Sequence, residues 1–219
     1  MFEAVIFDWD GTLAETMQMV VASFQRVLNE IHCTISDEFI ERRIGTGAAE
    51  PFREILRTSG ISFDEALIRL LVDKKIQAEI DLSSNVKLFT GATELLASLR
   101  GKVKLALASM NNRDVITHML SVMDVRRFFD VVLTVDEVHH SKPNPEIFLK
   151  SALKLKSRPE KCVVVEDSVF GVKAAKAAKM ACVAVLTGVY SREELKKANP
   201  DLIVNSLKER DEILNFILQ

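Results

Sequence analysis

Four carboxylates, a lysine and a serine stand at or beyond the ends of short apolar runs. They are Asp8 and Asp10 in Asp8-Trp9-Asp10-Gly11-Thr12, Ser109, Lys142 in Ser141-Lys142-Pro143-Asn144-Pro145, and the pair Glu166-Asp167. Gathered in one crevice, the carboxylates would repel by up to ~4 kcal/mol per pair at ~4 Å for an effective dielectric of about 20, so the set calls for a cation. Oxygen-only ligands favour Mg²⁺, which takes one or two carboxylates, waters and a substrate phosphate. Neither Cys nor His lies within these motifs, which disfavours zinc. A carboxylate beside such a cation, with Lys142 and Ser109 as donors, suits phosphoryl transfer. Asp8 is then the nucleophile, giving an aspartyl-phosphate. Asp10 falls on the same face if the strand runs on through it, placed to protonate the leaving alcohol and later deprotonate the hydrolytic water. Gly11 lets the backbone approach the phosphate and offers it an amide.

These residues are far apart in sequence, so the fold has to bring them together. The runs 4–7, 103–108, 131–134, 162–165 and 182–186 are strand-length and rich in β-branched residues, and 202–204 adds a short edge strand. Near-continuous apolar strands alternating with helical segments predict an α/β fold, a doubly wound (Rossmann-like) parallel sheet covered on both faces. Such sheets bind ligands beyond the carboxyl ends of their strands, where the four polar signals lie. Helices are expected over 111–121, 145–155, 169–179 and 206–218. The interval between the first two strands, about ninety residues long, far exceeds an ordinary crossover and reads as helical over 15–31, 37–44, 49–58, 63–80 and 92–100. A helical cap domain over 15–85, inserted after the first strand into a core of 1–14 and 86–219, is the economical organisation.

Composition supports a packed, regular chain. Of 219 residues, only 8 are Gly and 5 Pro, while 48% are hydrophobic and 27% charged, which excludes collagen-like and linker-rich classes. Lys and Arg number 29 against 31 Asp and Glu, for a net charge of −2. That balance lacks the basic excess that nucleic acid or an anionic membrane would favour. Three cysteines without Cys-x-x-Cys spacing suggest a reducing interior, and no apolar run approaches ~20 residues. The expectation is a cytoplasmic protein with no membrane partner, a monomer with a homodimer as the alternative. Gly188, with Pro51, Gly60, Gly101, Pro159 and Pro200, reads as punctuation between elements.

The motifs Asp8-x-Asp10-Gly11-Thr12-Leu13, Ser109, Lys142-Pro143-x-Pro145 and Glu166-Asp167-Ser168 stand in an order and at intervals that resemble the haloacid dehalogenase (HAD) superfamily. The likeness is to its phosphatase branch with a helical C1-type cap, near phosphoglycolate phosphatases and β-phosphoglucomutases, and it spans the chain, including the return at Phe89-Thr90-Gly91-Ala92. The resemblance implies that Asp8, Glu166 and Asp167 bind Mg²⁺ through side chains and Asp10 through its carbonyl. It also implies that Ser109 and Lys142 hold the phosphoryl group, in a phosphate-binding set that includes Gly11, Thr12 and Asn111. One departure is Lys179, where similar proteins often have glycine; a left-handed turn is expected there, with mild strain.

Substrate choice is expected in the cap loop Arg43-Ile44-Gly45-Thr46-Gly47-Ala48-Ala49-Glu50, similar to that of phosphoglycolate phosphatases, with Arg43, Thr46, Gly47 and Glu50 as the candidate specificity residues. The expected activity is Mg²⁺-dependent hydrolysis of a small phosphorylated metabolite, phosphoglycolate or a sugar phosphate. A β-phosphoglucomutase-like mutase is the nearest alternative, but Thr12 and Val20 occupy places where those enzymes often carry Val and His. Asp10 and Glu166-Asp167 count against a dehalogenase. A phosphonatase would be expected to use a cap lysine, and Lys74, Lys75 and Lys87 sit in no recognisable context. A non-enzymatic phospho-accepting receiver would carry its acidic pair before the phospho-acceptor, not late in the chain.

Overall fold

The computed structural model describes residues 1–219. Its six strands are β1 (Ala4–Phe7), β2 (Lys104–Ala108), β3 (Val131–Leu133), β4 (Cys162–Glu166), β5 (Ala181–Val185) and β6 (Leu202–Val204), all parallel and ordered β3-β2-β1-β4-β5-β6. Alternate residues serve opposite faces, as the pleat requires. Val5 and Phe7 of β1 join one apolar core, while Ala4 and Ile6 join the other. Both faces are therefore covered, which is why the strands lack a polar face. The strand order reverses between β1 and β4, opening a crevice at their carboxyl ends.

Ten α-helices are present: α1 (Met17–Glu30), α2 (Asp37–Glu41), α3 (Ala49–Thr58), α4 (Glu65–Leu82), α5 (Ala92–Leu99), α6 (Arg113–Val122), α7 (Glu146–Lys154), α8 (Val169–Ala177), α9 (Arg192–Lys197) and α10 (Arg210–Leu218). Nine correspond to segments anticipated from sequence. Helix α9 was not among them, because its six residues are almost entirely polar. Its signal was the capping box, in which the Ser191 side chain accepts from the Glu194 amide and the Glu194 carboxylate accepts from the Ser191 amide. None of the helices is long and apolar enough to cross a membrane.

Helices α1 to α4 lie between β1 and β2. They pack largely on one another, with Phe24 of α1 against Phe52 of α3 at a ring separation of 4.6 Å. The chain leaves for these helices and returns through a narrow neck. There the Glu15 amide donates to the Lys87 carbonyl at 2.8 Å and the Phe89 amide to the Leu13 carbonyl at 2.9 Å.

Low glycine content has a visible structural counterpart. His32, Asp124, Lys156, Lys179 and Asn199 each follow a helix end with positive φ, positions where glycine is common. At Lys179, φ is 59°, and the Met180 amide closes the turn on the Ala175 carbonyl at 3.0 Å. The expected left-handed turn is therefore present. Replacing Lys179 with Gly should raise stability by about 0.5–1 kcal/mol, the relief of left-handed strain outweighing the added freedom of the unfolded chain. Denaturant unfolding checks this, and a lowered midpoint would contradict it.

Candidate active site

The crevice between β1 and β4 receives four segments. Strand β1 ends at Phe7, so Asp8 and Asp10 are carried by the turn that follows it rather than by a continuing strand. Trp9, fully buried between them, fixes this turn: the Thr12, Leu13 and Ala14 amides all converge on its carbonyl, and its indole N–H donates to Met119 Sδ at 3.2 Å. The Gly11 amide donates to the Ala14 carbonyl at 3.0 Å, and the Thr187 hydroxyl braces the Gly11 carbonyl at 2.6 Å.

Lys142 is the electrostatic centre. Its Nζ donates to Asp8 Oδ1 at 2.5 Å and to Glu166 Oε1 at 2.7 Å, reaches the Ala108 carbonyl at 3.4 Å, and lies over the Phe148 ring. Burial works against its ammonium, yet Asp8 and Glu166 outweigh that and hold its pKa above the ordinary lysine value. Glu166 is held firmly, since its Oε2 accepts from the Asp167 amide at 3.0 Å and from the Ser168 amide and hydroxyl at 2.9 Å each. Ser168 in turn caps α8 by accepting from the Gly171 amide.

Carboxylate oxygens of Asp8, Glu166 and Asp167 all lie within 4.8 Å of one another. Burial raises Asp8 well above the usual carboxylate range; Lys142 opposes this, while Glu166 and Asp10 add to it. Asp167 is raised likewise, by burial first and then by the Glu166 and Asp8 charges. Asp8 Oδ2 and Asp167 Oδ2 receive no hydrogen bond from the protein, and Asp167 Oδ1 accepts only from the Thr12 hydroxyl, at 2.9 Å. Three converging buried carboxylates, only one cation and free anionic oxygens make a donor set that fits Mg²⁺.

Backbone packs against this cluster so closely that side chains are excluded. A Cβ at Gly188 would overlap the Asp167 carboxylate, and one at Gly171 would overlap that of Glu166. Gly188, read from sequence as punctuation, is thus part of the wall behind Asp167. Its position just after β5 was the only available signal.

Ser109 follows β2, donates to Asp10 Oδ2 at 3.4 Å and accepts from the Asn111 amide at 3.0 Å. Asp10 is raised chiefly by burial, against the opposing pull of the Thr16 hydroxyl first, then of Lys75, Lys142 and the Ser109 hydrogen bond. Its Oδ1 and the Thr16 hydroxyl are both buried, and neither has another hydrogen-bond partner. The Asn111 side chain donates to Glu79 Oε1 at 3.2 Å and accepts from the Asn112 amide at 2.8 Å.

Glu79 of α4 is the residue that sequence reasoning missed, and Lys75, named there only among cap lysines in no recognisable context, stands beside it at the site. Both are buried, and Lys75 Nζ pairs with Glu79 Oε1 at 2.7 Å. Burial pushes the Glu79 carboxyl up, with Lys75 pulling it back and Asp10 adding to the rise. In sequence the two form an i, i+4 pair of the kind that laces exposed helices, so no local signal distinguished them.

Of the candidate specificity residues, Gly47 lies against the loops that carry Lys142 and Ser109: a Cβ there would sit 3.4 Å from Ser141 Oγ and 3.7 Å from the Met110 carbonyl. Arg43 is clamped by Glu54 through two hydrogen bonds of 2.6 Å and stacks on Phe39. The Thr46 hydroxyl donates to the Arg43 carbonyl at 2.7 Å. Glu50 points to the rim, paired with Arg53 and Arg57. Beneath the loop a chamber of about 20 Å³ is lined by Asp10, Val20, Phe24, Arg43, Lys75 and Asn111, with further apolar side chains around them.

The parallel sheet with acid-bearing loops at its carboxyl ends places the chain among doubly wound α/β proteins, and comparison with known proteins narrows the class. Residues 5–185 match the family described as haloacid dehalogenase-like hydrolase. A phosphorylated carbohydrates phosphatase of Thermotoga maritima is 31% identical, with 94% of this chain aligned to 99% of that protein. The chloroplastic protein SUPPRESSOR OF QUENCHING 1 of Arabidopsis thaliana is 32% identical over 97% of this chain, which spans a fifth of that longer protein. The crystal structure of a hydrolase from Pseudomonas syringae superposes with a TM-score of 0.91 at 26% identity, covering all of both chains. The chain belongs to the haloacid dehalogenase-like hydrolase family, in its phosphatase branch.

Proposed function

We propose that the protein is a Mg²⁺-dependent phosphomonoester hydrolase acting on a small phosphorylated metabolite through an aspartyl-phosphate on Asp8. The observation that carries this reading is Lys142 bridging Asp8 and Glu166 beside Asp167, with one Asp8 oxygen left free of hydrogen bonds. In the first half-reaction Asp8 attacks phosphorus, a new O–P bond forms and the ester O–P bond breaks. Asp10, whose carboxyl is raised chiefly by burial, serves as the acid that delivers a proton to the leaving oxygen. In the second, the Asp10 carboxylate takes a proton from water as its oxygen attacks phosphorus, and Asp8 leaves as a carboxylate. Lys142 and Ser109 hold the phosphoryl oxygens throughout. The side chains of Asp8, Glu166 and Asp167 and the carbonyl of Asp10 would hold Mg²⁺, which would supply charge compensation for the phosphoryl group. The name of the Thermotoga relative supports a phosphorylated carbohydrate as the substrate class. Val20, which lines the chamber where mutases often carry a histidine, supports hydrolysis over the mutase alternative.

Residues 15–85 serve in this reading as a cap on a core of 1–14 and 86–219, with Arg43, Thr46, Gly47 and Glu50 forming the loop that selects substrate. A chamber of about 20 Å³ has roughly the room of one water, so substrate entry requires the cap to part from the core about the Glu15–Lys87 neck. All the catalytic groups come from one chain, so a monomer in the cytoplasm suffices, with no nucleic-acid or membrane partner. Phosphate release from small sugar phosphates and phosphoglycolate in the presence of Mg²⁺ tests the reading. An isomerised sugar phosphate without free phosphate would favour a mutase instead.

Metal binding carries a pH signature. Asp8 and Asp167 have raised pKa values in the folded state, so the cation-free protein loses stability as pH rises through them, and Mg²⁺ must displace protons below them. The rise in melting temperature on adding Mg²⁺ should therefore be larger near about pH 8 than near about pH 5.5. A rise that is constant with pH, or larger in acid, would count against the site.

A further inference from the structure

We propose, building on the hydrolase reading, that the chamber above Asp10 is built for a small leaving group without charge, and that Glu79 and Glu54 set this preference. Each cation at the chamber or its mouth is already matched by a carboxylate of this chain. Lys75 pairs with Glu79 at 2.7 Å, and Arg43 with Glu54 through two bonds of 2.6 Å. Arg42, at the mouth, pairs with Glu194 at 2.9 Å, and Lys142 lies between Asp8 and Glu166.

A carboxylate or second phosphate on the leaving group would enter a space walled by Val20, Phe24, Ile40, Ile44 and Met110. There it would either remain unpaired or break a buried ion pair, and both are costly where water cannot substitute. Lys75 and Glu79 are 4% and 0% exposed, so the pair that matters most has almost no solvent to relieve it. Hydroxyl groups meet no such barrier. Asp10 and Asn111 line the same space, so a neutral alcohol finds polar groups there. Glu79 does not line the chamber. It acts through Lys75 and Asn111, both of which it holds, and is a positioning residue that tunes charge.

A matched pair of esters isolates the charge: 2-hydroxyethyl phosphate and 2-phosphoglycolate are nearly equal in size and differ in one carboxylate. Calorimetric titration of the Asp8→Asn variant with each, in Mg²⁺, reads binding without turnover. The neutral ester is expected to bind about tenfold more tightly, and adding Glu79→Gln should shift the ratio toward 2-phosphoglycolate by about tenfold or more, because Lys75 loses its counter-charge. Glu54→Gln, at a half-exposed position, should shift the ratio in the same direction by a smaller factor, and it keeps the test open if Glu79→Gln fails to fold. Tighter or equal binding of 2-phosphoglycolate by the starting protein, binding of neither ester, or weakening of both esters in parallel by the substitutions would overturn the proposal. If the preference holds but the wild-type protein releases no phosphate from either ester, the hydrolase reading fails and the chamber's charge preference stands.

Discussion

Replacing Asp8 with Asn is expected to lower Mg²⁺-dependent phosphate release by at least about a thousandfold, since the amide is not a nucleophile toward phosphorus and no neighbouring group replaces it. The fold should not suffer. Asp8 has its pKa raised by burial and by the Glu166 and Asp10 charges, against the pull of Lys142. A neutral isostere relieves that repulsion, and Lys142 keeps Glu166 at 2.7 Å. Melting in cation-free buffer should therefore be unchanged or higher while turnover disappears. Loss of activity accompanied by a comparable loss of stability would instead mark Asp8 as a structural residue.

The second large effect is the reverse case. Lys142→Met removes the one ammonium among Asp8, Glu166 and Asp167, leaving buried carboxylates uncompensated. Breaking a buried pair in this way typically costs about 3–5 kcal/mol. The lysine pKa is raised in the fold, so its contribution is fully present below its unfolded value of about 10.4 and is missing in the variant at neutral pH. Acid should restore part of the loss by protonating Asp8, whose pKa is already high, and Mg²⁺ should restore part by supplying positive charge. Phosphate release should also fall, by about a hundredfold or more, because a donor to the phosphoryl oxygens is gone. Chemical denaturation at two pH values, with and without Mg²⁺, checks the set. A variant as stable as the parent in cation-free buffer at neutral pH would contradict it.

The contrast between these residues and Lys75–Glu79 shows what could be read in the chain and what could not. Asp8 and Ser109 follow, and Glu166-Asp167 straddles the end of, strands whose interior is apolar on both faces, so polar residues there have no packing reason and advertise the crevice. The six strands were legible for the same reason, and nine helices were legible because their apolar faces recur at helical spacing. Helix α9 has only Leu195 to bury, so periodicity was silent there and only its capping box spoke. Lys75 and Glu79 look like a solvated i, i+4 pair, and their burial depends on α4 meeting α6 and the Asn111 loop, a tertiary event with no local trace. Gly188 was opaque in the same way, because the need for a missing side chain arises from the Asp167 carboxylate lying against it.

The central claim is that Asp8 itself receives the phosphoryl group, and trapping the phosphoenzyme tests it most directly. In the Asp10→Asn variant the leaving alcohol and the hydrolytic water both lose their proton carrier, so a reactive ester with a good leaving group should still phosphorylate the protein while release stalls. Acid quenching followed by peptide mass analysis should then find the mass of one phosphoryl group on the peptide containing Asp8, sensitive to hydroxylamine and lost when Asp8 is Asn. A phosphoryl group on any other residue, or its persistence in the Asp8→Asn background, would contradict the account.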